Sequence, residues 1–564
     1  MSEILTLKAT DCKNCYKCVR HCPVKSIRFT GSEAQIIPEE CVLCGQCFVI
    51  CPQNAKEIRD DTGAAETLIA AGAPVYASLA PSYAANYVTE AGHSVSAGVM
   101  ESALKQLGFA GAEETAVGAT IIKRRYDAMV NREDKSIVIS TCCHTVNLLV
   151  QKYYPEALPC LAPFLSPMQA HSLDLKRRHP GAKTVFIGPC VSKKDEAEHC
   201  GGIVDCVLTF DELSRWLKKK NIVFGGEKKA ARDPGMRARL FPVAGGILRT
   251  MERSNPRYTY LAIDGLQNCL NALKDIVQGK MEKCFIEMSA CAGSCIGGPS
   301  MEKAGNAPVR DYIAVNRFAG EKDFPAHEYA EDMLRKNFVS LQPRRVRLGR
   351  GAVDEVLRKI GKTRSEHELN CGCCGYNTCR DKALAVLEGK ARLTMCLPYL
   401  IEKARSFSDT IIKNTPNGII VLNENFEVQQ INAAACNLFN IEEGNILGDQ
   451  VIRILDPLPF IEVKDQERNR YNQRLYLADY KKHVEQTILY DKSYHIIICI
   501  VRDITEQQLR KAGREVFNRD TIAITDKVIE KQMRAVQEIA SLLGETTAET
   551  KIALTKLKES LANE

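Results

Sequence analysis

The chain has 564 residues, 45% hydrophobic and 26% charged, with 25 cysteines beside a single tryptophan, Trp216, and a formal net charge of +7. These proportions exclude a mainly disordered, collagenous or coiled-coil molecule, and the length suggests roughly three to five domains of about 100–200 residues. No apolar run approaches the ~18 residues of a membrane span, the start MSEILTLKATDC lacks a signal-peptide pattern, and no basic stripe is interleaved with aromatics. The expectation is a cytoplasmic protein with neither membrane nor nucleic acid as partner.

Stable disulfides are disfavoured in a reducing compartment, so metal sites are the better reading of so many cysteines. Cys12, Cys15, Cys18 and Cys22 are followed by Pro23; Cys41, Cys44, Cys47 and Cys51 are followed by Pro52. This is C-x-x-C-x-x-C-x-x-x-C-P twice. Three thiolates on one tight loop can hold three irons of a cubane, and the fourth ligates the other cluster in two-cluster ferredoxins. Cys12, Cys15, Cys18 and Cys51 are assigned to one 4Fe-4S cluster, and Cys41, Cys44, Cys47 and Cys22 to the second. A zinc ribbon also pairs C-x-x-C but has no need of three cysteines at successive gaps of two, and soft thiolates favour iron–sulfur. Residues 1–60 resemble the bacterial two-cluster ferredoxins, which pass single electrons.

Residues 65–345 alternate short β-rich runs (PVYASLAP, KSIVISTCC, KTVFIGPC, CFIEMSAC) with helical stretches such as SVSAGVMESALKQLGF and FDELSRWLKKKN. Ligands of open α/β sheets gather beyond the C-terminal strand ends. Three runs end in cysteine (Cys142–Cys143, Cys190, Cys291, with Cys295 one turn on), and the fourth ends in Ala80-Pro81-Ser82. Four converging thiolates would suffice for another cubane.

STCCHTV, GPCVSKKDE and EMSACAGSCIGGP resemble, in order, the three cysteine motifs of the iron-only (FeFe) hydrogenase catalytic domain. The resemblance implies that Cys143, Cys190, Cys291 and Cys295 hold the 4Fe-4S half of an H-cluster. Cys295 would bridge to a two-iron half carrying CO, CN and a dithiolate. Cys142 falls on the family's proton-transfer cysteine. Lys193 falls on the lysine that hydrogen-bonds a cyanide, where an ammonium suits an anionic ligand. Ala80, Pro81 and Ser82 match its pocket strand, and Phe241 is expected to line the same cavity. Catalysis is therefore assigned to Cys142, Lys193 and Cys295. His144 and Val146 replace the proline and tryptophan of the first motif. Gly188 and Ser289 stand for methionines, Ser294 for a glycine, and Met168 for a glutamine. In the helix GATIIKRRYDAMV, Arg125 and Ala128 align with two proton-relaying glutamates. Neither can relay protons as a carboxylate does, so turnover is expected to be slow.

In 350–402, Cys371, Cys374, Cys379 and Cys396 form C-G-x-C-G-x-x-x-C…C, with a helix of about four turns expected before Cys396. This resembles a small 4Fe-4S domain, with zinc as the alternative. Its place in the chain suggests electron passage between the H-cluster domain and the C-terminal region. Residues 405–508, with INAAACNLF and a terminal RDITE, resemble a PAS domain. In the tail, 509–564, Ile529, Met533, Val536, Ala540 and Leu543 are spaced as an a/d stripe, continued by Ile552, Leu557 and Leu561.

The fold class expected is α/β and α+β multidomain: a ferredoxin-like module with two 4Fe-4S clusters, an H-cluster domain, a small 4Fe-4S helical domain, PAS, and a helical output or dimerisation tail. The function implied is a hydrogenase-type H2 or redox sensor with slow reversible H2 oxidation. Its partners would be H2 and protons, a ferredoxin-like redox carrier, a signalling protein and a second copy in a homodimer. Two alternatives stay open: a catabolic ferredoxin-linked hydrogenase producing H2, and a non-catalytic iron–sulfur redox sensor lacking the two-iron unit.

Overall fold

The computed structural model describes residues 4–8, 11–30, 33–88, 94–224, 235–301, 308–343, 349–543 and 548–562. The chain forms two compact units, Met1–Tyr399 and Leu400–Glu564.

The first unit opens with β1 (Leu5–Leu7), β2 (Ile27–Thr30), β3 (Glu33–Ile36) and β4 (Lys56–Ile58), paired antiparallel as β1–β4 and β2–β3. Each cysteine loop runs into a short helix, Lys17–His21 or Gln46–Val49. The internal repeat is written into the backbone: Ser26 N donates to Cys22 Sγ and Ala55 N to Cys51 Sγ, both at 3.4 Å and both four residues on.

Two parallel sheets come next. One contains β5 (Val75–Leu79), β6 (Gly111–Glu114), β8 (Lys183–Gly188) and β9 (Cys206–Thr209) in the order β6-β5-β8-β9; the other contains β7 (Ile137–Ile139), β10 (Thr259–Asp264) and β11 (Cys284–Ser289) in the order β10-β11-β7. β8 and β11 are buried along almost their whole length, which is why their sequences read as near-continuous apolar runs. After the last sheet strand, an irregular segment returns across the domain. Leu165 N donates to Leu334 O, Lys336 N to Pro163 O and Leu341 N to Gln151 O.

Residues 350–396 are not built around a four-turn helix. The helix after the third cysteine spans only Cys379–Leu387, because Gly389 at φ +69° turns the chain and Lys390 N closes back onto Ala385 O. Cys396 instead follows a short 3₁₀ turn, Leu393–Met395.

The second unit is a five-stranded antiparallel sheet in the order β13-β12-β16-β15-β14: β12 (Gly418–Asn423), β13 (Val428–Ile431), β14 (Arg470–Leu477), β15 (Lys482–Asp491) and β16 (Ile496–Asp503). Buried Asn432 begins the helix Ala433–Phe439. Its Oδ1 accepts from Ala435 N and Ile419 N, and its Nδ2 donates to Asn417 O and Ile412 O. One amide thereby joins helix cap, first strand and preceding helix. His495 sits in a turn with φ +56°, paired with Glu424 and largely exposed. The tail is helical over Thr505–Leu543 and Ala548–Ala562, and the second helix folds back to pair Lys558 with Asp526. Ile529, Met533 and Val536 of the expected stripe are half-buried. The side chains of Ala540, Leu543 and Leu561 lie outside the described residues.

Helix Ala116–Arg132 lies against helix Pro167–Arg178 at Gly118, where a Cβ would overlap the Pro167 carbonyl and stand 2.7 Å from His171 N. Gly118→Ala is therefore expected to cost ~1–3 kcal/mol by overpacking. Gly98→Ala, with nothing within 4 Å of the new carbon, is expected to be neutral or stabilising by up to ~1 kcal/mol. Urea unfolding of the full chain distinguishes the two; equal effects would contradict the packing described.

Candidate functional site

The parallel strands of both sheets deliver their C-terminal ends to one cavity of about 110 Å³. β5 supplies Ala80, Pro81 and Ser82; β7 supplies Cys142 and Cys143; β8 supplies Cys190 and Lys193; β11 supplies Ser289, Cys291 and Cys295; Phe241 and Met168 complete the wall. Every residue expected from the sequence to line this cavity does so. Ser294, which replaces a glycine, holds the left-handed φ of +63° that glycine tolerates without strain. Gly188 leaves its space to Phe186, whose ring would lie 2.7 Å from a Cβ there.

Burial pushes the thiols of Cys143, Cys291 and Cys295 up, and each lies in the field of Cys190. Without a cation they stay neutral thiols; to bind as thiolates they need a cationic core, which an iron–sulfur cluster supplies. Among the described residues no group of three or more His, Cys, Asp or Glu is placed to hold a single metal ion. A cubane, held at four separate irons, asks for sulfurs spread around its corners. Four soft thiol donors on one cavity wall suit iron–sulfur chemistry.

Lys193 Nζ donates to Cys142 O at 3.0 Å and to the Glu196 carboxylate. Burial opposes the Lys193 charge, but Glu196 outweighs it and keeps the ammonium protonated. Glu196 is likewise fully enclosed. Burial pushes its carboxyl up, but Lys193 and Lys336 hold it well below the usual range. Lys336, from the returning segment, donates to Glu196 at 2.8 Å and to Gln169 Oε1 at 3.1 Å. His144 Nε2 meets Asp195 at 2.8 Å, while its Nδ1 is buried without a hydrogen-bond partner.

Two residues near Cys142 escaped sequence reading. Tyr126, one position from Arg125, is fully buried with its hydroxyl 3.3 Å from Cys142 Sγ, and it accepts from Thr141 N at 3.0 Å. Glu287, a lone carboxylate within the apolar strand CFIEMS, accepts from Leu248 N at 3.1 Å, and burial raises it to about 7. Its presence inside such a run was the available signal. Burial also pushes the Cys142 thiol up, to about 12, against the hydrogen bond from Tyr126. Arg125 instead binds Tyr329 O, and neither it nor Ala128 reaches the cavity wall.

In the N-terminal repeat, Cys41, Cys44 and Cys47 each lie in the field of Cys22, and Cys18 in that of Cys12 and Cys15. That grouping sets Cys22 beside Cys41, Cys44 and Cys47. Cys44 lines the hydrogenase-like cavity and lies in the field of Cys291. Gly45, at φ +73°, presses so closely on Pro299 that a Cβ would stand 2.6 Å from its ring. Cys371, Cys374, Cys379 and Cys396 line a second, small cavity with Lys382, while Cys373 stays outside it, exposed. This module is tied to the N-terminal repeat: Phe29 N donates to Lys390 O at 2.8 Å and Lys390 pairs with Glu40. Chain order is therefore not the spatial order of the cysteine groups.

Residues 73–299 match the family model of the iron-only hydrogenase large subunit, C-terminal domain; residues 4–65 match a 4Fe-4S dicluster domain, 368–398 a putative Fe-S cluster and 406–474 a PAS domain. The chain is 25% identical over 283 residues to Iron hydrogenase 1 of Clostridium pasteurianum, covering 39% of this chain and 49% of that protein. It is 26% identical over 287 residues to the periplasmic Fe hydrogenase large subunit of Nitratidesulfovibrio vulgaris, covering 41% and 68%. It thus spans about half the length of the first of these relatives. A solved structure of apo FeFe-hydrogenase HydA1 from Chlamydomonas reinhardtii matches at 15% identity and a TM-score of 0.41, over 50% of this chain and 100% of that one. The chain thus combines an FeFe-hydrogenase-like domain with iron–sulfur and PAS modules. No described helix is long and apolar enough to cross a membrane.

Glu196→Gln would leave the buried Lys193 ammonium and the partly exposed Lys336 sharing one neutral amide. Its expected cost is ~3–5 kcal/mol in denaturant unfolding of the full chain; a loss below ~1 kcal/mol would show that the charges are compensated elsewhere.

Proposed function

We propose that the chain is a hydrogenase-type sensor that interconverts H2 with protons and electrons slowly and reports the outcome through its PAS unit and helical tail. The observation that carries this reading is the meeting of Cys143, Cys190, Cys291 and Cys295 with Cys142 and Lys193 at one largely apolar cavity. When bound, a two-iron group with CO, CN and a dithiolate would supply the open iron at which H2 is split or formed. Cys143, Cys190, Cys291 and Cys295 would hold the centre. The Lys193 ammonium, fixed by Glu196, would suit its anionic ligands. Phe241, Pro81 and Met168, which line the cavity, would shield it from water. Cys142 is the thiol that would hold and hand on the proton, with Tyr126 hydrogen-bonded beside it. The cysteine groups of the N-terminal repeat and of residues 371–396 would take up single electrons.

Slow turnover is supported by the replacements around the cavity. Ser289 and Gly188 supply no sulfur-bearing side chain, and the helix before the first motif presents Tyr126 toward Cys142 rather than a carboxylate. A sensory output needs a state-dependent difference in contact free energy, for which the PAS unit and the exposed apolar residues Leu509, Val516 and Phe517 of the tail are the available surfaces. A redox carrier, a signalling protein and a second copy of the chain are the partners proposed.

Infrared spectroscopy of the matured protein is the decisive measurement. CO and CN stretching bands that respond to H2 are expected; a cluster-loaded protein without them would sink the hydrogenase reading. Specific activity as high as that of bulk H2 producers would remove the sensory one. Cys142→Ala should lower H2 turnover at least about tenfold with iron content unchanged; unaltered turnover would show that protons travel elsewhere.

A further inference from the structure

The module of residues 371–396 seats Tyr376 in the apolar core of the N-terminal repeat, with Val19, Cys22 and Phe29. Tyr376 is buried, and two lysine ammoniums, Lys25 and Lys382, each stand 6.0 Å from the centre of its ring. Lys25 Nζ donates to Gly375 O at 2.8 Å, across 350 positions of sequence, and to Val19 O and Arg20 O on its own side. It lies in the field of both Cys22 and Cys374, with Asp381. Lys382 lies in that of Cys374 and Cys396, both within its own module. Gly375, at φ +92°, lets the backbones close: a Cβ there would stand 2.9 Å from Val19 Cγ1 and 3.2 Å from Arg20 N. Cys44, of the same repeat, lines the hydrogenase-like cavity with Cys291.

We infer that Lys25 is the electrostatic joint between the Cys22-ligated cluster and the Cys371–Cys396 cluster, one ammonium setting the reduction potential of both. The Cys22-ligated group is then a hub, with the hydrogenase-like cavity on its Cys44 side and the Cys374 module on its Cys22 side. Electrons reach the module by that hub and not along the chain order. The exchange is one electron, one cluster oxidised and the other reduced, with no bond made or broken. The inference rests on the proposal that both groups hold 4Fe-4S clusters. Its physical basis is that an added electron is stabilised by a nearby fixed cation, most strongly where water is excluded.

The test is a redox titration of the cluster-loaded full chain followed by electron paramagnetic resonance, with Cys379→Ser used to identify the module's signal. Lys25→Met should shift the reduction equilibria of both clusters at least tenfold toward the oxidised state, 59 mV for one electron, with iron and acid-labile sulfide unchanged. Lys25→Arg should restore both, and Lys382→Met should shift the module's signal alone. A Lys25→Met variant that keeps its iron and shifts only one signal, or neither, overturns the inference. Should Lys25→Met lose iron, Lys25→Gln decides: with iron retained, both signals must shift toward the oxidised state, and a shift of one alone or of neither overturns the inference. A wild-type chain that takes up no clusters at these cysteines would instead be a failure of the cluster assignment itself.

Discussion

Everything in the first unit depends on the difficulty of burying sulfur anions. Four cysteines from three strand ends meet in a cavity whose walls are mostly apolar, and burial there disfavours the very thiolate form that binds iron. Only a cationic core at the centre reverses that balance, so cluster uptake and close packing stabilise one another. The parallel topology makes the meeting feasible, because the C-terminal ends of β5, β7, β8 and β11 deliver their loops to one place.

The Lys193–Glu196–Lys336 chain solves a second problem of the same kind. A bare ammonium in that wall would be costly, and a bare carboxylate beneath it equally so. Alternating signs, with Lys193 and Glu196 buried and Lys336 partly exposed, let the cavity present positive charge without an uncompensated ion. The N-terminal repeat uses backbone N–H groups instead, and its matched bonds to Cys22 and Cys51 reflect its two-fold sequence.

Much of this was legible in the sequence because ligand spacing is a local property. The doubled cysteine motif, the strand ends carrying Cys142, Cys143, Cys190 and Cys291, and the grouping of Cys371 with Cys374, Cys379 and Cys396 all rest on short intervals. The strands β6, β9, β10 and β14 were less visible, being short or flanked by charge. What spacing could not reveal was partnership at a distance. Tyr126 beside Cys142, Lys336 on Glu196 and Lys25 on Gly375 join segments brought together only by the fold. The helix before Cys396 was overestimated because Gly389 stops it, a break that propensity alone does not compel.

Lys336 lies beyond residue 299, where the match to the hydrogenase family model ends, yet it neutralises a carboxylate behind the cavity wall. Homology and electrostatics therefore draw different borders around the same cavity. Grafting residues 73–299 onto a foreign scaffold would transplant the cysteines and leave a counter-ion behind. The portable piece, in physical terms, must include the returning strap.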